Sequence, residues 1–299
     1  VPYAVFAIHV TGTLDVSSIS FVGNAELAES GIELSATSID GTLYTDLDFI
    51  SLKDGGAETI VIEEANDLEI RAGLKGFALE KTSGDLFIRL NSAGATLSHT
   101  GGEFLVEGAG AEIALIADNF EFLAGAETLK GSGQVSIIPY TADTDIWIGG
   151  SATDVPAGTL HFSEDEFAVF AKTLSAIQFG DAFTRSITLD DISTPADWTT
   201  PVLLESKSAR VRGDFNNRGN VQILVSDSIT SDADTAIVRG NVIEAFAETG
   251  SITLNVDTSG LGNGGLSVVA ATFVDVTEVA GDLRLITPAT IAEDSAVVA

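Results

Sequence analysis

The sequence contains no cysteine and no methionine, and its 14 Lys and Arg residues face 44 Asp and Glu residues. The absence of cysteine excludes disulfides and thiolate-bound metals, although it does not exclude export. No run of about 18 apolar residues occurs, so no segment is predicted to cross a membrane as a helix.

The formal net charge of −30 limits the classes of partner. An acidic surface repels nucleic-acid phosphates and anionic lipid headgroups, because both are bound chiefly through Lys and Arg. We therefore expect no nucleic-acid partner and no membrane insertion. The charge suits solubility, a saline setting or the binding of divalent cations.

The mean hydropathy of +0.30 argues against disorder and for a folded core. Period-2 alternation dominates the chain, most clearly in Ser251–Asp257 and Ser186–Asp190. Such alternation is typical of strands with one buried and one wet face. Gly, Asn, Asp and Ser separate the strands about every 8–12 residues, the spacing of a sandwich, a barrel or a solenoid.

Turn chemistry favours the solenoid. Asn-Gly and Asp-Gly pairs, which tight hairpins require, are almost absent. We predict an all-β fold in which residues 1–299 form one elongated parallel β-helix. Coils of about 20–30 residues give about ten to fourteen turns and a rod of about 50–65 Å.

One segment carries a helix signature. Ser163 and Glu166 form a capping box, and Phe167, Phe170 and Leu174 follow with helical spacing. We predict one short helix over residues 164–173.

Residues 131–190 carry the most specific pattern. A strand ending in Pro139-Tyr140 precedes an Ile-Trp-Ile-Gly-Gly strand (146–150), the capped helix, an Ile-Gln-Phe-Gly strand (177–180) and an Ile-Thr-Leu strand (187–189). This module resembles the filamentous-hemagglutinin-like giant adhesins of bacteria, with Phe167 in place of the usual Leu and with Trp147 added. The resemblance implies a right-handed parallel β-helix, export through a dedicated secretion route, and a role in adhesion or surface structure.

Two acidic clusters are candidate metal ligands. Asp143 and Asp145 form a D-x-D pair, and Asp232 and Asp234 lie in a second acidic loop. Carboxylate oxygens on loops are ligands that Ca²⁺ prefers. The alternative is that both are solvated loops, since D-x-D is a weak signal and no EF-hand pattern occurs. No other cofactor is expected.

Basic residues are concentrated within 207–218. They are suited to an acidic sugar or an acidic partner, or alternatively to local ion pairs with Glu205 and Asp214. The four are Lys207, Arg210, Arg212 and Arg218.

Aromatic and histidine residues are weaker candidates. Trp147, Trp198 and Tyr140 are either sugar-stacking platforms or core residues. The three histidines, which lie far apart in sequence, are interpreted as structural. They are His9, His99 and His161.

The sequence thus predicts a structural or adhesive segment of a secreted, extracellular bacterial surface protein, not an enzyme. Its ends require a cap, flanking segments of a longer chain or another subunit, so the expected partners are either such flanking segments or further copies of the chain, the latter assembling into filaments or a sheath. Val1–Tyr3 and the Ala/Val-rich end are the expected contact segments, and a surface carbohydrate is a further candidate partner. Two alternatives are a carbohydrate-active β-helix enzyme, lyase or hydrolase, and a cation-dependent surface-layer protein.

Overall fold

The structure is a computed structural model, and it describes residues 3–17, 19–23, 29–108, 110–194, 198–259 and 264–287. Almost all of its regular structure is β-strand. Strands are numbered in chain order.

The first fifteen strands precede the segment that carries the helix. They are β1 (Tyr3–His9), β2 (Thr13–Asp15), β3 (Ser20–Val22), β4 (Glu29–Ala36), β5 (Ser38–Asp46), β6 (Phe49–Asp54), β7 (Ile60–Glu64), β8 (Leu68–Ile70), β9 (Phe77–Lys81), β10 (Leu86–Leu90), β11 (Thr96–His99), β12 (Glu103–Val106), β13 (Glu112–Ile116), β14 (Asn119–Phe122) and β15 (Leu129–Gly131).

The remaining elements of the described residues include an α-helix and a short 3₁₀ turn. They are β16 (Gln134–Ile138), β17 (Asp145–Ile148), the 3₁₀ turn (Ala152–Asp154), β18 (Thr159–Phe162), α1 (Glu164–Phe167), β19 (Ala176–Phe179), β20 (Ser186–Leu189), β21 (Ile192–Ser193), β22 (Val202–Ser206), β23 (Ser208–Val211), β24 (Asp214–Asn216), β25 (Val221–Val225), β26 (Ile229–Ser231), β27 (Ile237–Arg239), β28 (Val242–Ala247), β29 (Ile252–Asp257), β30 (Gly265–Ala270) and β31 (Val274–Glu278).

The strands form three sheets that wind into a parallel β-solenoid, which confirms the predicted fold class. The central sheet runs the length of the rod in the order β2, β5, β7, β10, β13, β16, β19, β22, β25, β28, β30. The first sheet joins strands between β1 and β15, and the third joins strands between β17 and β31. Every described strand pair is parallel, for example β10 with β7 and β13 with β16.

The coils number about 11, within the predicted range. Partners in successive rungs of the central sheet lie 19 to 27 positions apart from β7 onward, with one exception. Val135 pairs with Ile177, so this coil takes 42 residues and carries the helix. Eleven rungs at about 4.8 Å give a rod of about 50 Å.

The cross-section changes along the rod. Near each end one long strand serves two walls: β6 pairs with both β8 and β9, and β29 pairs with both β26 and β27. In the middle these walls are separate strands, so a coil has three sides instead of two. The middle of the rod therefore encloses a wider core.

Core side chains follow this change in width. Two inward rows of the central sheet stack aliphatic residues rung on rung, as in Ile60–Leu86–Ile113–Val135. The wide middle is filled by aromatic rings, whose centroids lie 5.1–6.4 Å from their neighbours. This aromatic cluster consists of Phe120, Phe122, Phe162, Phe167, Phe170, Phe179, Trp198 and Phe215.

The capping box is confirmed, but the predicted helix length is wrong. Ser163 N donates to Glu166 Oε2 at 2.9 Å, and Glu166 N donates back to Ser163 Oγ at 3.3 Å. The helix ends at Phe167 rather than at residue 173. Beyond it the backbone pairs with the previous coil, since Leu129 N donates to Val169 O at 3.1 Å and Ala171 N donates to Leu129 O at 2.8 Å. The aromatic stripe is thus core packing on a solenoid wall.

Corner aspartates join adjacent coils and account for part of the acidic composition. Asp67 accepts from Thr96 N at 2.7 Å, and Asp118 accepts from Thr141 N at 2.7 Å and from Gly94 N at 2.8 Å. A carboxylate bound to a backbone N–H satisfies a donor that the turn leaves unpaired. Asp85 binds Glu112 N and Asp191 binds Asp214 N in the same way.

A buried ion pair lies at one corner near the N-terminal end of the described rod. Lys81 and Asp54 are both fully buried and in contact. Lys81 Nζ also donates to Gly56 O at 2.9 Å and to Glu58 O at 2.8 Å, while Asp54 accepts from Ile39 N at 2.7 Å. With its remaining protons and lone pairs bound, the pair is compensated, and removing either partner alone would strand a buried charge.

The aromatic cluster gives a test of the core. Phe162 is fully buried and contacts Phe120, Phe122 and Phe179. We expect Phe162→Ala to lower the free energy of unfolding by about 3–5 kcal/mol, because it removes apolar contacts and leaves a cavity. Urea unfolding followed by tryptophan fluorescence measures this change. The control is Phe183→Ala, since Phe183 is 57% exposed and should change stability by less than about 0.5 kcal/mol.

Candidate functional site

Asp143 lies in the turn before β17 and Asp145 is the first residue of β17, and both are bound by basic side chains of other coils. Asp145 accepts from Arg185 Nε at 2.7 Å and from Ser186 Oγ at 2.7 Å. The hydrogen bond from Arg185 holds the pKa of Asp145 below its usual range. Asp143, in a left-handed backbone conformation (φ 61°), is paired with Lys207. Both carboxylates therefore act as contacts between coils.

Asp232 and Asp234 lie on the same sheet, in the corner after β26. Asp232 Oδ1 accepts from Arg210 Nε at 2.6 Å, and its other oxygen lies 3.9 Å from Arg212 Nε. Asp234 is exposed in the same corner. Because β26 is three rungs from β17, about 14 Å along the rod, the two predicted clusters do not meet. The described residues contain no group of three or more His, Cys, Asp or Glu placed to hold a metal.

Three of the four basic residues within 207–218 form ion pairs with residues other than the nearby Glu205 and Asp214. Lys207 pairs with Asp143 across 64 positions, whereas Asp214 binds Arg239 Nε at 2.7 Å. The predicted local pairing with Asp214 is therefore wrong. Parallel winding brings residues one or more coils apart into contact, which sequence proximity does not reveal. Arg218 lies exposed in a corner.

The second predicted partner, Glu205, faces a different row of residues. It accepts a hydrogen bond from Gln178 Nε2 at 3.4 Å. Burial raises the pKa of Glu205, and the nearby charge of Asp181 raises it further.

The three aromatic candidates have different surroundings. Trp198 is buried in the aromatic cluster and donates its indole N–H to Phe170 O at 3.2 Å, so it is a core residue and not a platform. Trp147 points outward but is covered by Arg212, whose guanidinium carbon lies 4.7 Å from the ring centroid. Tyr140 lies half-buried under Arg89 at 5.4 Å.

The histidines divide into two kinds. His99 is fully buried beside Phe104, and its Nε2 lies 3.2 Å from Gly102 O. His161 Nε2 lies 3.0 Å from Gly149 O. These two contacts agree with the structural interpretation. His9 differs, because it lines a surface cavity and lies against the buried carboxylate of Glu33.

Both ends of the described rod expose strand edges. Within the described residues β1 pairs only with β4, β2 and β3 pair only with β5, and β31 pairs only with β29. Of the twelve exposed large apolar side chains among the described residues, eight lie in these end coils. They are Phe6, Val22, Val269, Phe273, Val274, Val279, Leu283 and Leu285.

The predicted contact segments fall largely outside the described residues. This holds for Val1, Pro2 and the Ala/Val-rich residues 288–299. The end surface is therefore defined by the described end coils alone.

Comparisons of this chain with family models, curated proteins and solved structures give no match. Among the described residues no helix is long and apolar enough to cross a bilayer.

Buried His99 predicts a pH-dependent stability. Burial lowers its pKa from the ordinary 6.5, so the folded chain holds the imidazole neutral while the unfolded chain protonates it. The stability that the neutral ring contributes is present above pH 6.5 and is lost as the pH falls below it. The lost stability amounts to at most about 1.4 kcal/mol per pH unit. As the pH falls from 7 to 5, the native protein should therefore lose free energy of unfolding that His99→Leu retains, and the difference between the two should shift in favour of His99→Leu. Urea unfolding at several pH values measures the difference, and a constant difference would contradict the assignment.

The calcium hypothesis is also testable. Because Asp143, Asp145 and Asp232 are bound by basic side chains, we expect neither EDTA nor added Ca²⁺ to move the thermal midpoint. Differential scanning calorimetry of the metal-stripped and calcium-loaded protein measures this. A midpoint that rises with Ca²⁺ and returns with EDTA would establish a cation site after all.

Proposed function

We propose that this chain is a structural and adhesive segment of a bacterial surface protein, which extends by stacking the ends of its solenoid on another parallel β-coil. The observation that carries the proposal is the pair of end coils, where β1 and β31 have an edge that no described strand pairs and exposed apolar side chains are concentrated. An open edge is a template for pairing with another chain unless it is covered. The proposal assigns no catalytic step to the chain.

End-to-end stacking would repeat a contact that the rod already makes inside itself. Each inner coil binds its neighbours through a ladder of backbone hydrogen bonds and a layer of stacked side chains. Among the described residues the end coils lack most of this contact on one side: β1 and β31 pair on one edge only, and β30 is met on its outer edge only at Leu266, by residues 284–286. A second copy is a suitable occupant because its opposite end presents strands of the same central sheet, at the same spacing.

The high negative charge sets the conditions for assembly. A chain of net charge −30 repels a second copy, and this repulsion is long-ranged at low ionic strength. At about 0.15 M salt the Debye length falls to about 8 Å, so only charges close to the contact between two rods still repel each other appreciably. Stacking is therefore expected to strengthen as the salt concentration rises.

The adhesive and secreted parts of the proposal rest on the resemblance of residues 131–190 to the filamentous-hemagglutinin-like adhesins. These residues hold the 42-residue coil, with its capping box and its strand ending in Gly149 and Gly150. The resemblance supports an extracellular role on the bacterial surface.

Substitution at one end tests the stacking. Phe273, in the last described coils, is 58% exposed, and Phe273→Lys places a charge where apolar contact is expected. We expect the native protein to form end-to-end oligomers in sedimentation velocity at physiological salt, and more of them at high salt. Phe273→Lys should reduce assembly at least tenfold, because a lysine would be desolvated in the contact.

Phe183→Lys is the matched control. Phe183 is exposed to the same degree, 57%, but lies in a corner midway along the rod. It should leave assembly unchanged. A native protein that stays monomeric at every salt concentration, or equal losses in the two variants, would overturn the stacking proposal.

A further inference from the structure

A short loop, residues 71–76, crosses the outer face of the first sheet between β8 and β9. Arg71 lies over the Phe49 ring, with its guanidinium carbon 3.6 Å from the centroid. Gly73 approaches so closely that a Cβ atom there would lie 2.2 Å from Glu33 Oε2. The same Cβ atom would lie 2.8 Å from Ser51 Cβ, so a side chain at position 73 would push the loop away from the strands on which it lies.

Glu33 lies under this loop on β4 and is completely buried. One carboxylate oxygen, Oε2, accepts from Lys75 N at 3.3 Å. The other, Oε1, lies 3.1 Å from His9 Nε2 but without the alignment of a hydrogen bond, and no other donor in the described part of the chain reaches it. A buried carboxylate oxygen without an aligned donor is unusual and costly.

A cavity of about 420 Å³ opens beside this pair. Its volume lies within the range of small-ligand sites. With Nε2 of His9 turned to Glu33, Nδ1 is the ring nitrogen left for a ligand. The cavity is lined by His9, Thr11, Ser35, Lys53, Lys75 and Phe77, with Val10 between them.

The cavity brings together basic side chains on a chain that has few of them. Two of its 14 Lys and Arg residues and one of its three histidines line this single cavity. Lys53 is neutralised by Glu80, 2.7 Å away. The Lys75 ammonium is exposed, and the described residues supply no acidic partner for it. The Lys75 ammonium is therefore available to an acidic ligand, whereas the buried Glu33 carboxylate is turned toward His9 and the Lys75 backbone.

We propose that this cavity binds a carboxylate-bearing saccharide, the acidic sugar of a surface polysaccharide or glycan. Lys75 would pair with the sugar carboxylate, and His9 and the hydroxyls of Thr11 and Ser35 would bind its hydroxyl groups. The half-buried ring of Phe77 offers an apolar surface to the face of the sugar. A ligand bound to Nδ1 would also fix the His9 ring, so that Nε2 can align with Glu33.

The mixture of groups favours a sugar over a bare anion. A small inorganic anion would use the cations but leave the aromatic ring and the two hydroxyls without a role. A long polyanion would meet repulsion from the acidic surface outside the cavity. The proposal gives a ligand class to the adhesive part of the proposed function and rests on it, but it is independent of end-to-end stacking.

Isothermal titration calorimetry with tri-galacturonate tests the proposal. It should be done on the Phe273→Lys variant, so that binding is measured whether or not the native chain assembles. We expect saturable binding that Lys75→Gln weakens about tenfold or more, the loss of one charge-assisted hydrogen bond. Lys130→Gln is the matched control, because Lys130 is a half-exposed lysine elsewhere on the same sheet, paired with Glu103. It should bind as the parent does.

Two further ligands separate the sources of affinity. Neutral tri-galactose should bind at least tenfold more weakly than tri-galacturonate, and inorganic phosphate should not compete at equal concentration. Circular dichroism confirms that each variant is folded. Absence of binding, equal binding by the Lys75→Gln variant, or equal affinity for phosphate would overturn the proposal while leaving the sedimentation result untouched.

Discussion

Each coil of this solenoid must pair its backbone with the coils on either side, and the rest of the structure follows from that constraint. A short parallel strand cannot satisfy its own N–H and C=O groups, so stability comes from neighbours along the rod. The central sheet makes this pairing continuous from β2 to β30. Among the described residues the same constraint leaves strand edges at both ends of the rod, since β1 and β31 pair on one side only and β30 is met on its outer side only at Leu266.

Corners present a second form of the same problem. Where the chain turns, amides leave the ladder and need another acceptor. In this protein aspartates of adjacent coils supply it, as Asp67 does for Thr96 N and Asp118 for Thr141 N. Part of the acidic composition of the sequence therefore consists of aspartates that form hydrogen bonds between adjacent coils. Asp145 and Asp232 make similar links with arginines, although their spacing suggested calcium.

Features set by neighbouring residues could be predicted, and features set by winding could not. Alternation predicts the strands, scarce hairpin turns predict the parallel coil, and Ser163 with Glu166 predicts the helix start. The helix end cannot be predicted from the sequence, because the pairing of Leu129 with Val169 and Ala171 replaces helical hydrogen bonds and no local signal shows this pairing. The ion pair of Lys207 with Asp143 cannot be predicted from neighbouring residues either, because the two lie 64 positions apart in the sequence.

The cavity lined by His9 and Lys75 shows how winding creates a site that no sequence motif predicts. His9, Glu33 and Lys75 come from β1, β4 and a loop two coils later, and the register alone brings them together. His9 had no histidine or carboxylate at motif spacing, so its structural interpretation was the natural one. A solenoid repeats its backbone but not its side chains. Wherever an insertion such as loop 71–76 covers one rung, it can bury a charge that neighbouring rungs would leave in water. Function on such a rod is therefore expected where the repeat is broken: at its ends, and beneath its loops.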